Sequence, residues 1–97
     1  MNFVVIFKAK IKNIDDEYVI LASQMRHKAM HDYNCTKFES YQEKDNDVSL
    51  SYWSRLEDIQ AWRQDTEHLY AQQKGRLSWY DTYSIEVCQI QRAYQSE

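Results

Sequence analysis

Residues 3–11 read FVVIFKAKI, and this stretch decides the fold. It begins apolar on both faces, and then Phe7, Ala9 and Ile11 alternate with two lysines. Alternation with a period of two is typical of a β-strand that has one face covered. We therefore predict a strand that is covered on both faces at its start and on one face at its end.

An amphipathic helix is predicted over residues 15–32, directly after this strand. Asp15 is a good N-cap, and Asp16 and Glu17 suit the positive end of a helix dipole. Apolar side chains then recur at helical spacing. They are Tyr18, Leu21, Ala22, Met25 and Ala29.

A β-hairpin is predicted over residues 35–53. Residues 35–43 and 48–53 each alternate between two faces, and the segment between them, Lys44 to Asp47, is polar. Two alternating runs joined by a short polar turn favour antiparallel pairing.

A second helical region is predicted after the hairpin, with Ser54 and Glu57 as a capping box. Gly75, the only glycine, is placed to end it in a left-handed C-cap. One stripe of this helix is expected to face the core. It comprises Leu56, Ile59, Trp62, Thr66, Leu69 and Gln73.

A last strand is predicted around residues 83–87, with a bulge or a second covered face after Val87. The order is therefore β-α-β-β-α-β, without repeat or linker, which is the ferredoxin-like α+β plan. We expect one domain over residues 1–97, with an antiparallel sheet and two helices on one face. The other face carries enough apolar groups to pack on a partner sheet.

The composition excludes several classes of protein. The 97 residues carry a net charge of −3 and a pI near 5.6, a poor match for nucleic acid or an anionic membrane. We find neither an apolar run of membrane-spanning length nor a signal-peptide pattern. Two cysteines make no disulfide framework, so a reduced cytoplasmic setting is expected. A chain this small gains stability from dimerisation.

His68 is a candidate general base. Asp65 lies three residues before it and Gln72 four residues after it, so a carboxylate and an amide could reach the imidazole on one helical face. Such partners fix a tautomer, as a general base requires. The alternative is that these polar side chains only solvate the helix.

Aromatic residues cluster in the second half of the chain, where they suit either a core or a pocket for a planar organic ligand. Arg76 could bind an anionic oxygen of such a ligand or cap the preceding helix. The aromatic set is Tyr52, Trp53, Trp62, Tyr70, Trp79, Tyr80 and Tyr83.

His27 and His31 have the spacing of metal ligands on a helix, but no clear third ligand accompanies them, so we interpret them as a solvated pair. Cys35 and Cys88 are interpreted as small buried hydrophobes. The sequence contains no nucleophile elbow, phosphate loop or dinucleotide fingerprint.

Between residues 51 and 94 the sequence closely resembles the antibiotic biosynthesis monooxygenase family. The resemblance rests on spaced motifs that cover nearly half of the chain. They are SYW at 51–53, AWR at 61–63, EH at 67–68, AQ at 71–72, GR at 75–76, WY at 79–80, Tyr83 and RAY at 92–94.

This resemblance implies a dimeric α+β barrel in which two ferredoxin-like sheets pack face to face. Relatives include oxygenases that need no cofactor and convert phenols or quinols to quinones by direct reaction of a substrate anion with O2. It implies that His68 or a tyrosine is the base, that Arg76 stabilises the phenolate, and that Trp53, Trp62 and Trp79 wall the ring. Tyr52, Gln72 and Tyr80 are further candidate substrate-binding residues.

Two alternatives remain open at this point. One is a non-catalytic ligand-binding or stress-response dimer of the same fold. The other is haem degradation, whose branch of the family uses an Asn on the first strand and a His ten residues after a Trp. Trp62 matches that Trp, but Gln72 stands where the His is needed and no Asn lies near Phe7.

Overall fold

A computed structural model of the chain describes residues 2–96, apart from the side chains of Thr66 and Glu67. The strands are β1 (Phe3–Ile11), β2 (Lys37–Glu43), β3 (Asn46–Trp53) and β4 (Tyr80–Gln89). The helices are α1 (Asp16–Asp32), α2 (Leu56–Arg63) and α3 (Thr66–Lys74), and a π-helical turn, Gly75–Trp79, continues α3.

The four strands form one antiparallel sheet in the order β2-β3-β1-β4. This confirms the predicted ferredoxin-like α+β fold. The sheet buries one face: Val5 and Ala9 of β1 and Trp53 of β3 are all less than a tenth exposed. They contribute to a core with Met25 and Ala29 of α1.

Strand β1 and helix α1 form as predicted, but the hairpin turn does not. Residues 3–11 are strand β1, and Asp15 caps α1 by accepting a 2.8 Å hydrogen bond from the Tyr18 N–H. The predicted four-residue hairpin turn is wrong, because Glu43 pairs with Asn46 and only Lys44 and Asp45 connect the strands. Lys44 adopts a left-handed conformation with φ of 56°, which lets this tight turn close.

The second helical region is not one helix, and this corrects the prediction. Ser54 does not cap it, since Arg55 is the N-cap residue and bonds Glu57 at 2.8 Å instead. The chain then breaks at Gln64 and Asp65 before α3 begins.

This break changes which side of the chain faces inward. Ile59 and Trp62 are buried as predicted, but Leu69 is 51% exposed and Gln73 is also exposed. The predicted stripe position Thr66 has its side chain outside the described part. The inward residues of α3 and the π-helical turn are instead His68, Ala71, Gln72, Gly75 and Trp79.

Gly75 does not adopt the predicted left-handed C-cap, since its φ is not positive. It is buried at the start of the π-helical turn, against the ring of Tyr80. A Cβ at this position would lie 2.5 Å from Cε2 of Tyr80, so the absence of a side chain allows this close approach.

β4 also differs in detail from the prediction. The only register shift in its pairing with β1 lies at Lys10 and Ile11, so no bulge follows Val87. Cys88 instead lies half-buried on the outer face of the sheet, opposite Val4. None of the described helices is long and apolar enough to span a membrane.

Candidate functional site

A cavity of about 420 Å³ lies between the inner face of the sheet and the helices. Its floor is formed by side chains of β1, β3 and β4, among them Val5, Phe7, Ser49 and Ile85. Its walls come from α1, α3 and the π-helical turn. The volume lies in the range of pockets that bind small organic molecules.

Most of the cavity's aromatic lining lies at the end nearest the π-helical turn. The ring of Phe7 lies 5.4 Å from that of Tyr80 and 6.0 Å from that of Tyr83, centroid to centroid. Tyr18 meets Trp79 edge-on at 5.1 Å. Tilted and edge-on rings at these separations attract one another beyond their simple area burial.

The indole of Trp79 fixes the π-helical turn to the start of α1. The indole Nε1 donates to Asp15 Oδ1 at 3.1 Å, and the backbone carbonyl of Trp79 accepts from the Lys12 N–H at 2.7 Å. Trp79 is 2% exposed, so the turn is both buried and hydrogen-bonded. π-helical turns of this kind are frequent at functional sites.

Trp62 and His68 form the other end of the cavity. Their rings meet edge-on with centroids 4.2 Å apart, and Trp62 Nε1 donates to the Met25 carbonyl at 3.2 Å. Behind Trp62 lie the rings of Trp53, at 5.3 Å, and Phe38, at 6.2 Å.

His68 is half-buried, and its Nδ1 atom is buried without a hydrogen-bond partner within the described part of the chain. Burial lowers the pKa of His68 to about 4, and the nearby charge of Arg63 acts in the same direction. A hydrogen bond with the backbone of Trp62 and the charge of Asp65 oppose this shift only in part. His68 is therefore neutral at physiological pH, with one nitrogen lone pair free to accept a proton.

The predicted contacts that would orient His68 do not form. The carboxylate of Asp65 caps α3 by accepting from the His68 backbone N–H at 3.4 Å, and it bonds the Tyr33 hydroxyl at 2.7 Å and Lys28 Nζ at 3.2 Å. Gln72 lines the cavity but makes no hydrogen bond to the imidazole in the described structure. Asp65 thus fixes the start of the helix that carries His68.

The structure brings together five of the eight predicted site residues. His68, Trp62, Gln72, Trp79 and Tyr80 all line the cavity.

The other three predicted residues lie elsewhere. Trp53 is 1% exposed in the core behind Trp62, with its Nε1 bonded to Ser51 Oγ at 2.8 Å. Tyr52 is on the outer face of the sheet, where Lys37 Nζ lies 5.8 Å from the centroid of its ring. Arg76 is exposed and does not line the cavity, because the π-helical turn directs that position outward.

A hydrogen-bonded group that sequence reasoning missed lies at the aromatic end. The Tyr18 hydroxyl donates to Asp47 Oδ2 at 3.1 Å. Burial, followed by the charge of Asp47, raises the pKa of Tyr18 to about 12. Burial and the adjoining Tyr18 also raise the pKa of Tyr80, so both hydroxyls stay protonated.

Positive charge at the cavity comes from Arg26 and Arg63, which were not predicted. The guanidinium of Arg26 lies over the Phe38 ring at 5.5 Å and donates to the Phe38 carbonyl at 2.9 Å. Arg26 and Arg63, and not Arg76, thus place cationic side chains beside the cavity.

Neither the histidine pair of α1 nor the two cysteines line the cavity. His27 and His31 stack with ring centroids 4.1 Å apart, both exposed on α1. Across residues 2–96, the side chains of Thr66 and Glu67 excepted, no three His, Cys, Asp or Glu residues are arranged to hold a metal. Cys35 is buried as predicted, and Cys88 is half-buried; both are free thiols.

Comparison with solved structures identifies the fold. SnoaB, a cofactor-independent oxygenase from Streptomyces nogalater, matches with a TM-score of 0.80 and 9% identity over 98% of both chains. An antibiotic biosynthesis monooxygenase matches with a TM-score of 0.75 and 11% identity, over 91% of this chain and 97% of that one. The fold is that of the antibiotic biosynthesis monooxygenases, which confirms the predicted resemblance at the level of the fold.

The sequence itself has a nearer relative. The uncharacterised protein YqjZ of Bacillus subtilis is 33% identical over 91 residues, which cover 93% of this chain and 80% of YqjZ. The chain belongs to the family of YqjZ. No family model matches the sequence. A dimeric protein of ferredoxin-like fold from Bacteroides fragilis also matches, with a TM-score of 0.64 and 12% identity over 92% of this chain and 96% of that one.

Proposed function

We propose that the protein is a monooxygenase that needs no cofactor and oxidises a small phenol or quinol with O2. One observation carries the proposal: the half-buried, neutral imidazole of His68, without a partner at Nδ1, lines an aromatic cavity of about 420 Å³. SnoaB, which has this fold, is a cofactor-independent oxygenase, and this supports the same class of reaction here.

The first step is removal of a proton from the substrate by His68. The pKa of the imidazole is low because burial disfavours its charged form. A phenolate formed next to the imidazolium would raise that pKa again, because opposite charges stabilise each other. Arg26 and Arg63 would stabilise the same anion.

The anion then reacts with O2 without help from a metal or flavin. It gives one electron to O2, and the radical pair combines to form a carbon–oxygen bond. The peroxide anion so formed takes the proton back from the His68 imidazolium and becomes a hydroperoxide. Loss of water from this hydroperoxide, which also removes the hydrogen on that carbon, leaves a carbonyl group. A phenol and O2 thus give a quinone and water, and the substrate supplies all four electrons.

Turnover of 1,5-dihydroxynaphthalene in air tests the proposal. We expect O2 uptake, followed with an electrode, together with absorbance of the hydroxynaphthoquinone, both above the rate without protein. His68→Gln should lower kcat by about a hundredfold or more, as expected for loss of a general base. His31→Gln replaces an exposed histidine outside the cavity and should leave kcat unchanged.

A wild-type protein that binds phenols but never exceeds the background rate would contradict the oxygenase function. It would then fit the non-catalytic ligand-binding dimer that the sequence left open.

A homodimer formed through the outer face of the sheet is part of this proposal. Val4, Ile6, Val48 and Leu50 lie half-buried on that face, opposite the face that the helices cover. The similar protein from Bacteroides fragilis is described as dimeric. Uncovered apolar surface of this kind is a common basis of association.

Sedimentation equilibrium should give the mass of a dimer, and Leu50→Lys should give a monomer, because a charge would be placed within the apolar face. Val19→Lys is the control, since Val19 is 59% exposed on α1 and lies away from the sheet. A wild-type monomer at tens of micromolar protein would rule out this interface.

A further inference from the structure

The cavity has a polar group at each of its ends. At one end is the imidazole of His68 beside Trp62, called here the imidazole end. At the other is the hydrogen-bonded group of Tyr18, Tyr80 and Asp47, called here the tyrosine end. The proposed oxygenase reaction uses only the imidazole end, so the tyrosine end has no assigned role.

The imidazole end lies over the first half of β1. The ring of Trp62 packs against those of Trp53 and Phe38. Trp53 pairs with Phe3 of β1, and Phe38 is level with Val5, since both pair with Ser51. This end is therefore centred between positions 3 and 5 of the strand.

The tyrosine end lies over the second half of the same strand. The ring of Tyr80 packs on Phe7, and Asp47, which binds Tyr18, pairs with Ala9. This end is centred between positions 7 and 9, four residues farther along β1. At about 3.3 Å per residue, the β1 positions beneath Trp62 and beneath the Tyr18–Asp47 pair are roughly 13 Å apart, and we take this as the spacing of the two ends.

This separation sets the length of a ligand that reaches both ends. A hydrogen bond at each end takes up about 2.8 Å, so roughly 8 Å remains between the two ligand oxygens. Two fused aromatic rings with hydroxyls at opposite corners span about that length. A single-ring phenol would reach only one end.

Both ends accept hydrogen bonds. Tyr18 donates to Asp47 and accepts a hydrogen bond from the Tyr80 hydroxyl, so the acceptors left at the tyrosine end are the oxygens of the Asp47 carboxylate and the second lone pair of Tyr18. The neutral imidazole offers a nitrogen lone pair. A ligand must therefore bring a donor, such as a hydroxyl, to each end.

We propose that Tyr18 and Asp47 form a second ligand-binding subsite, which selects fused-ring aromatics with a hydroxyl at the end remote from His68. This inference rests on the proposed function, because it takes the cavity as the ligand site. The subsite makes these two residues determinants of specificity for the far end of the ligand, while proton removal takes place at the imidazole end.

Binding measured without O2 tests this subsite apart from any turnover. Isothermal titration calorimetry under nitrogen would compare 2,6-dihydroxynaphthalene, which has hydroxyls at both ends, with 2-naphthol and 2,3-dihydroxynaphthalene. We expect the 2,6-diol to bind about tenfold more tightly than either, the effect of one hydrogen bond to a charged group.

Variants assign this preference to the subsite. Tyr18→Phe and Asp47→Asn should each weaken binding of the 2,6-diol about tenfold and change that of 2-naphthol less than twofold. Tyr70→Phe is the matched control. It removes another tyrosine–carboxylate hydrogen bond, from Tyr70 to Glu17 at 2.8 Å, on the outside of the protein, and should change neither affinity.

Equal affinity of the wild-type protein for the 2,6-diol and 2-naphthol would overturn the proposal, as would no binding of the diol at millimolar concentration. This comparison needs no variant, so it stands even where a substitution impairs folding. Preference for the diol together with no turnover in air would contradict the oxygenase function alone.

Discussion

Replacing Asp65 with alanine should lower the free energy of unfolding by about 3 kcal/mol or more, because it removes a largely buried carboxylate together with its ion pair and its hydrogen bonds. The Asp65 side chain is 9% exposed and lies within 3.2 Å of Lys28 Nζ. It also accepts the Tyr33 hydroxyl at 2.7 Å and caps α3 at the His68 N–H. One carboxylate thus joins α1 to the start of α3.

Urea denaturation at pH 7 measures this loss. Glu57→Ala is the matched control, because its ion pair with Arg55 is exposed, with side chains 69% and 63% accessible. Exposed pairs contribute little to stability, so this variant should stay close to wild type. If Asp65→Ala were as stable as Glu57→Ala, the carboxylate would not hold the break between α2 and α3.

The second large effect is a loss of stability in mild acid that depends on His68. Burial lowers the pKa of His68 to about 4 in the folded protein, against 6.5 for an unperturbed histidine. The unfolded chain therefore takes up a proton first as pH falls, so protonation favours unfolding. Stability from this group is complete above pH 6.5 and is lost between pH 6.5 and 4, by about 3 kcal/mol in all.

Free energies of unfolding from urea titrations at pH 7 and pH 4.5 test this effect. Carboxylates also titrate in this range, so the informative quantity is the difference between wild type and His68→Gln, which should lose much less stability on acidification. His31→Gln, at an exposed position, should keep the wild-type pH dependence. The same slope in wild type and His68→Gln would show that the imidazole is charged, or solvated, in the folded state.

The first half of the fold follows from local sequence. Residues 3–11 alternate, Asp15 caps a helix of regular apolar spacing, and both features lie within a few residues of the structure they determine. The break at Gln64 and Asp65 could not be predicted in this way. Asp65 resembles any surface acid in sequence, and its partners Lys28 and Tyr33 lie more than 30 residues away.

The site residues could be predicted only where the sequence shows which face of a helix or strand each side chain occupies. Tyr52 and Trp53 are adjacent on β3, so strand geometry places them on opposite faces, and both could not line one cavity. The exposed position of Arg76 depends on the π-helical turn, whose phase no simple helical period reproduces. Tyr18 lies on the predicted apolar stripe of α1, but the hydrogen bond of its hydroxyl could not be predicted, because its acceptor Asp47 is on a distant strand.

Gly75 shows how ligand size can be controlled by a residue that the cavity lining does not include. The ring of Tyr80 occupies the space that a Cβ at position 75 would need, and the same ring forms part of the cavity wall. A larger residue here would displace the Tyr80 ring and so change the shape of the cavity. Exchange at this one position would therefore change the size of the cavity while every side chain that lines it stayed the same.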